Sequence, residues 1–383
     1  MGEFMRAVKF LGLFLIVFSC IEPYTFVIPD NLPSLVVEGY ISDKSFNDTR
    51  AYPSDGRYFK IRLTNTGDVT NALPKPVTDA TVKLISDEKE WTYQPSGTEP
   101  GVYQLYDAAF KAVPGFKYRI QIITEDEVYE STMEGLSETQ VPPIGTVDFI
   151  ETESEKYVVE AGENVLRTIK EIEAFISLKP NASGEPIYYR WKFNPMWVYV
   201  APLSPSVTRP GHTCWVTSKD YMRNFALQID QSGGYDKPLF RVPTLRNERL
   251  LDDFSVLIEQ LAMDEDSYFF WKEMYDQNEG NILVDKPPYN LQSNMRSLSG
   301  QKKVVGFFSV FQEQATRWYF NVGQLSYSVE NTFKKGCETN YGPPVRGDCP
   351  EEPSPAFAAC ECKYCLRYSF GEATNIRPSW WRQ

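Results

Sequence analysis

The chain has 383 residues, a formal net charge of −12 and no long run of lysine or arginine. A nucleic-acid partner is disfavoured, because a protein that binds polyphosphate needs a basic face. The length exceeds that of one typical domain, and 23 tyrosines, 24 phenylalanines and 27 prolines favour strands and turns over long helices.

The first twenty residues have the pattern of a lipoprotein signal peptide. Arg6 and Lys9 precede an apolar run at 10–18. This run is shorter than the roughly 20 residues of a membrane-spanning helix. The sequence VFSC at 17–20 is similar to a lipobox, so Cys20 is predicted to be the first mature residue and to carry acyl chains such as palmitate. Two or more acyl chains inserted in a bilayer anchor a protein stably. The alternative is a soluble secreted protein that is cleaved elsewhere.

The residue after the predicted lipidation site gives the predicted location. Ile21 is not the aspartate that retains lipoproteins in the inner membrane. The expected location is therefore the outer membrane, with the cell surface favoured over the periplasmic face.

Residues 34–140 are predicted to form a β-sandwich of immunoglobulin type. They follow a proline-rich tether at 20–33 and contain seven short strand-like runs separated by turn signals. Alternation places Tyr118, Ile120 and Ile122 on one face, which is the expected core. The seven runs are 35–42, 58–64, 77–86, 91–93, 101–106, 116–124 and 127–133.

A second β-rich domain is predicted at 141–333, after the break VPPIG at 141–145. Its expected strands are 147–150, 173–178 and 188–200, followed by a late pair at 304–311 and 317–322. The glutamate-rich segment 151–173 is interpreted as a solvated hairpin or loop. The sequence YRWKF at 189–193 is interpreted as a half-buried strand and not as a cation site, because alternation alone explains it.

One helix is predicted in the second domain. Asp264 is its candidate N-cap, and Gly280 is the candidate stop. Tyr268, Trp271 and Tyr275 share one stripe at helical spacing, so they are expected to pack on a sheet.

Residues 334–383 are predicted to be a cysteine-rich cap held by disulfides, because they have too little periodic apolar sequence to fold alone. Cys362 and Cys365 are expected to be oxidised, and Cys214 is expected to link the tail to the second domain. Cys360 and Cys362 are placed on one side of an extended strand, which favours separate partners. A redox CxxC pair and a zinc site at Cys360, Cys362 and Cys365 are less favoured alternatives. Beyond Cys20 the chain has six cysteines, which allow three disulfides in 15 pairings: Cys214, Cys337, Cys349, Cys360, Cys362 and Cys365.

Catalytic motifs are missing from the sequence. There is a single histidine, His212, in a Pro/Gly loop, and no HExxH, GxSxG, P-loop, EF-hand or GxGxxG motif occurs. The pairs Asp252/Asp253 and Asp264/Asp266 are explained as a loop and a helix start, although such pairs serve glycosidases or calcium ions elsewhere. We therefore expect no enzyme, no cofactor and no metal site.

Several segments resemble the Bacteroidota-type outer-membrane lipoprotein family known as domain of unknown function 4249. The resemblance extends over nearly the whole mature chain, and its most specific part is the C-terminal CKYC at 362–365 with Gly371, Thr374-Asn375, Pro378 and Trp380-Trp381. Two departures are QSNM at 292–295, where relatives have a Gly-Asn-Ile turn, and the extra cysteines. The other matching segments are CIEPY at 20–24, LVVEGYI at 35–41, VTDATVKL at 77–84, GVY at 101–103, YYRW at 188–191, SYFFWK at 267–272 and VVGFFS at 304–309.

This resemblance implies an N-terminal sandwich similar to transthyretin-like modules, and an outer-membrane lipoprotein often found beside TonB-dependent receptors. It implies no catalytic residue. The expected fold is mainly β, with the sandwich, a second β-rich domain containing one helix, and a disulfide-fastened tail. The leading functional hypothesis is a binding or accessory subunit whose partners are the membrane and a receptor barrel. A surface glycan- or peptide-acting hydrolase is the alternative, and an envelope assembly or adhesion component is the third possibility.

Overall fold

The computed structural model describes residues 34–66, 74–160, 162–204, 211–222, 224–279, 293–300, 302–341 and 360–382. Ser34–Gln383 forms one compact unit. The predicted signal peptide 1–19, the tether with Cys20, and Cys349 lie outside the described residues. Within the described ranges, the helices are too short or too polar to cross a membrane.

The N-terminal part is built from short strands whose side chains alternate between buried and exposed. All seven runs predicted from the sequence have a counterpart here, and one short helix, α1 (Phe46–Thr49), follows the first strand. The strands are β1 (Leu35–Ser42), β2 (Phe59–Asn65), β3 (Lys75–Pro76), β4 (Thr81–Ser86), β5 (Glu90–Thr92), β6 (Gln94–Pro95), β7 (Val102–Leu105), β8 (Lys117–Ile123), β9 (Val128–Ser131) and β10 (Glu134–Gly135).

These strands form a sandwich around one core. β1, β2 and β7 belong to an eleven-stranded sheet, whereas β9, β8, β4 and β5 belong to a six-stranded sheet. Ile61 and Leu63 of the first sheet share a buried cluster with Leu84, Ile120 and Ile122 of the second. The predicted sandwich and its core face are confirmed.

The rest of the chain adds longer strands. The runs predicted at 147–150, 173–178 and 188–200 overlap three of them, and the glutamate-rich segment between the first two runs belongs to a hairpin. The strands are β11 (Val147–Glu160), β12 (Glu163–Ser177), β13 (Ile187–Val200), β14 (Thr213–Thr217), β15 (Ala226–Asp230), β16 (Asp236–Pro243), β17 (Phe254–Met263), β18 (Met295–Ser297), β19 (Val304–Phe320) and β20 (Glu372–Thr374).

β19 is one continuous strand, so the prediction of two late strands is wrong. It pairs in parallel with β1 and antiparallel with β17, and these backbone bonds extend through its polar middle. The polar side chains there also have partners, since Gln312 donates to the Ser137 and Thr139 carbonyls and Gln314 donates to the Pro142 carbonyl. Backbone pairing therefore maintains the strand where its apolar pattern stops.

β19 also connects two large hydrophobic cores. Phe308 belongs to the core of the sandwich, and Phe320 belongs to a second core that contains Trp191 and Trp197 of β13. The point at residue 141 where a domain boundary is predicted separates most members of the two cores. The domain limits themselves stay a prediction, because the eleven-stranded sheet contains strands from both sides.

The predicted helix is α2 (Glu265–Glu279), and it packs as expected. The Ser267 backbone N–H and hydroxyl donate hydrogen bonds to the two carboxylate oxygens of Asp264, so Asp264 caps the start of the helix. Tyr268 contacts Tyr188 of β13, with ring centroids 5.4 Å apart, and Trp271 joins the same small cluster. Gly280 lies outside the described residues.

The described part of the tail, 332–341 and 360–382, contains two α-helices and an edge strand. α3 (Thr332–Tyr341) and α4 (Cys360–Lys363) are followed by β20, which pairs with β14 at the edge of the eleven-stranded sheet. The fold is therefore mainly β, as predicted.

Candidate functional site

Among the described residues, two disulfides fasten the tail. Cys214 of β14 is bonded to Cys365, and Cys337 of α3 is bonded to Cys362 of α4. All four cysteines are buried, whereas Cys360 is half-buried with a free thiol. Since the two cysteines of the CxxC have different partners, this motif does not close the bond that a redox pair would form.

The extended strand predicted around Cys360 and Cys362 is wrong. These residues lie in α4, where the Tyr364 backbone N–H donates to the Cys360 carbonyl at 2.9 Å and closes a helical turn. Alternating cysteines resemble a strand pattern, but four residues carry too little periodicity to distinguish the two structures. No bond joins Cys360 to Cys362, because Cys362 is bonded elsewhere.

The tail also packs on the central sheet through its last aromatic residues. Trp381 is buried against Tyr319, with ring centroids 5.7 Å apart. Trp380 donates to the Asp55 carboxylate at 2.8 Å, and the Arg317 guanidinium lies 3.9 Å from its ring centroid.

The only histidine of the chain borders a cleft of about 320 Å³, together with Glu248 and Asp252. His212 Nδ1 lies 2.8 Å from the Thr213 hydroxyl. Burial, with the charge of Asp253, raises the pKa of Asp252, and His212 opposes this shift.

Of the other predicted carboxylates, Asp264 and Asp253 have structural partners. Asp264 caps α2, and Asp266 lies exposed in its first turn. Asp253 pairs with Arg382 at 2.7 Å and accepts a bond from Asn321. Asp264 and Asp253 therefore have their carboxylates occupied at a helix start and a loop.

The outer part of the β11–β12 hairpin, residues 151–160 and 162–170, is here called the arm. The third strand of its sheet, β16, pairs with β12 only from Glu171 onward, so the arm consists of two strands. Tyr157 lies opposite Leu166, and Val159 is on the same face two residues on. Tyr157 is 74% exposed and Val159 is 72% exposed.

A second feature, here called the charged cleft, has a volume of about 490 Å³ and lies beside the middle of β13. Arg57 pairs with Glu313 and lies 3.5 Å from Glu259. Lys192 Nζ lies 3.6 Å from Glu259 and donates to the Tyr40 hydroxyl at 3.1 Å. Burial disfavours ionisation of Glu259, but Lys192 and Arg57 outweigh it and lower its pKa.

Sequence reasoning missed the charged cleft. The YRWKF segment is a strand as predicted, and its second face is partly covered, because α2 packs over the buried Arg190 and the Arg57 loop lies beside the half-buried Lys192. The alternation of aromatics with cations in 189–193 was the available signal.

Fold and sites together define a mainly β protein with a disulfide-fastened tail and an exposed two-stranded arm. The chain belongs to the family domain of unknown function 4249 (DUF4249), whose model matches residues 21–317. The C-terminal CKYC signature lies after the matched range. Neither curated proteins nor solved structures give a match.

Proposed function

We propose that this chain is a lipoprotein anchored in the outer membrane through Cys20 and that it acts as a binding or accessory subunit beside a TonB-dependent receptor. The observation that carries this proposal is the arm. The side chains of Tyr157, Val159 and Leu166 are exposed to solvent. Burial of this apolar surface under a partner protein would be energetically favourable.

The arm is also shaped for a protein partner. Among the described residues, the outer edge of β11 has no neighbouring strand, so its backbone groups are open to pairing with a strand of the partner. Exposed Glu153, Glu155 and Glu163 disfavour pairing with a second copy, because like charges would meet. They favour a partner with a basic surface next to its apolar patch.

Copurification tests the proposal. The chain, carrying a tag at its C-terminus, is captured from detergent-solubilised outer membranes, and we expect a barrel protein to be recovered with it. The variant Tyr157→Ser/Val159→Ser should reduce that recovery at least about tenfold, since two buried apolar anchors contribute roughly 1.5 kcal/mol or more each.

Ile376→Ser is the matched control, because Ile376 is 75% exposed and lies outside the arm. Its recovery of the partner should equal that of the unchanged chain. Recovery of the chain without any barrel protein counts against the receptor role, and equal recovery by both variants counts against the arm.

A hydrolase that acts on surface glycan or peptide is the second candidate, and the cleft beside His212 favours it. Asp252 lines this cleft, and burial raises its pKa in the direction that general-acid catalysis requires. Asp252→Asn should abolish any hydrolysis of envelope glycans or peptides by the purified chain, whereas Asp266→Asn, in the first turn of α2, should leave it unchanged.

A further inference from the structure

We infer that the charged cleft binds a small oxyanion, namely a carboxylate or phosphate group carried by a polar molecule of about sugar size. The charged cleft shares no residue with the arm, and the inference does not depend on a receptor partner.

The first argument is charge. The cleft is lined by three cations, Arg57, Lys60 and Lys192, and by one carboxylate, Glu259, although the whole chain has a net charge of −12. Glu313 pairs with Arg57 and compensates one further charge. Glu99 lies 3.7 Å from Lys60, but it also pairs with Arg62 and Lys219, so it compensates Lys60 only in part. A pocket with excess positive charge in an acidic protein attracts anions selectively.

Arg190 adds positive charge beneath the same face of β13. Its guanidinium lies 3.3 Å from the ring centroid of Trp271 and 4.5 Å from that of Phe225. Its buried Nε has no hydrogen-bond partner. Burial lowers the pKa of Arg190 to about 9, so it stays protonated at neutral pH.

The second argument is unused donor capacity. Arg57 Nε is buried without a hydrogen-bond partner, and the nearest carboxylate oxygen on Glu259 is 3.5 Å away. Lys192 retains 30% exposure of its side chain, and its three N–H groups exceed its two partners, the Tyr40 hydroxyl and the Glu259 carboxylate. An oxyanion accepts such donors with charge-assisted hydrogen bonds.

The third argument is shape. The volume of about 490 Å³ falls in the range of small-molecule sites. Tyr40 and Tyr58 contribute aromatic walls, and the amides of Gln104 and Asn194 add polar groups suited to hydroxyls. A molecule with a polar body and one anionic group fits this lining better than an apolar ligand.

Isothermal titration calorimetry on the full chain in detergent tests the inference. The probes are D-galacturonate for carboxylate, glucose 6-phosphate for phosphate, and the neutral sugars galactose and glucose as controls. We expect saturable binding of at least one anionic probe, weakening with added salt, and none of the neutral sugars. Whichever anionic probe binds identifies the preferred oxyanion.

Variants then locate the site. Lys192→Gln should weaken binding about tenfold or more, because a charge-assisted hydrogen bond is lost. Lys60 lies at the exposed rim of the cleft, so Lys60→Gln should fold normally and should weaken binding about threefold. This variant tests the site even if Lys192→Gln is unstable. Lys302→Gln is the matched control, since Lys302 is a similarly exposed lysine paired with Asp126 elsewhere.

Three results would overturn the inference. They are the absence of binding for both anionic probes, equal affinity for the neutral sugars, and an equal effect of Lys60→Gln and Lys302→Gln. Because the chain is tested without a partner, none of these results bears on the copurification experiment with the arm variants.

Discussion

Arg57, in the loop after α1, and Glu313, in the middle of β19, form an ion pair although 256 residues separate them in the chain. Glu313 is almost fully buried and also accepts a bond from the Ser42 hydroxyl at 2.5 Å. Burial disfavours the charge on Arg57, but Tyr40, Glu313 and Glu259 together outweigh it and raise its pKa. The ion pair therefore holds the Arg57 loop on the face of the eleven-stranded sheet.

Glu313→Gln should lower the free energy of unfolding by about 3 kcal/mol, because it removes one partner of a buried ion pair and leaves the cation behind. Urea unfolding followed by tryptophan fluorescence measures the loss. Glu338→Gln is the control, since Glu338 and its partner Lys334 are both half exposed and the expected loss is below about 1 kcal/mol. Similar losses for the two variants would show that the Arg57 pair does not stabilise the fold.

The two disulfides should differ in their contributions to stability. The bond Cys214–Cys365 closes a sequence separation of 151 residues, whereas Cys337–Cys362 closes 25. In the chain-entropy model these loops correspond to about 5 and about 3.5 kcal/mol. Replacing both cysteines of the first pair by alanine should therefore lower stability more than the same change in the second.

Non-reducing peptide mapping and urea unfolding of the two double variants check this prediction. Mapping of the unchanged chain should recover both linked peptide pairs. Free thiols at these four positions, or a larger loss from the shorter loop, would contradict it.

The sequence predicts the local elements well, because their signals are local. The alternation of Tyr118, Ile120 and Ile122 predicts the strand that the structure shows as β8, and the candidate N-cap Asp264 predicts the start of α2. Both signals depend on residues within a few positions of one another, so no knowledge of the tertiary fold is needed.

Long-range relationships were beyond the sequence pattern. β19 continues through Gln312 and Gln314 because it pairs with distant strands, and the apolar pattern contains no trace of that pairing. The charged cleft joins Arg57, Lys192 and Glu259 from three separate regions. Only the folded structure shows that the cations of β13 face carboxylates and a covering loop.

Gly306 should not tolerate a side chain. Its φ is +133°, and a Cβ atom built there would lie 2.0 Å from the Val37 carbonyl oxygen of the parallel neighbour β1. Gly306→Ala should lower stability by about 3 kcal/mol, because backbone strain and overpacking add. Gly115→Ala is the control, since Gly115 also has positive φ but open space around it, and its expected loss is about 1 kcal/mol. Thermal unfolding that ranks the two losses in the opposite order would contradict this account of the β1–β19 contact.

The raised pKa of Asp252 predicts a pH-dependent effect of its replacement. Burial and the neighbouring Asp253 favour the protonated carboxyl in the folded protein. Because the folded pKa exceeds the unfolded one, the group stabilises the fold at low pH, and this contribution is lost as the pH rises through the folded pKa. Asp252→Asn should therefore stabilise the chain more at neutral pH than below pH 3.8, the ordinary pKa of aspartate.

Urea unfolding of the unchanged chain and of Asp252→Asn across this pH range measures the difference, and Asp266→Asn serves as the exposed control. A stability difference that does not change with pH, or that grows on acidification, would show that Asp252 is not disfavoured as a carboxylate.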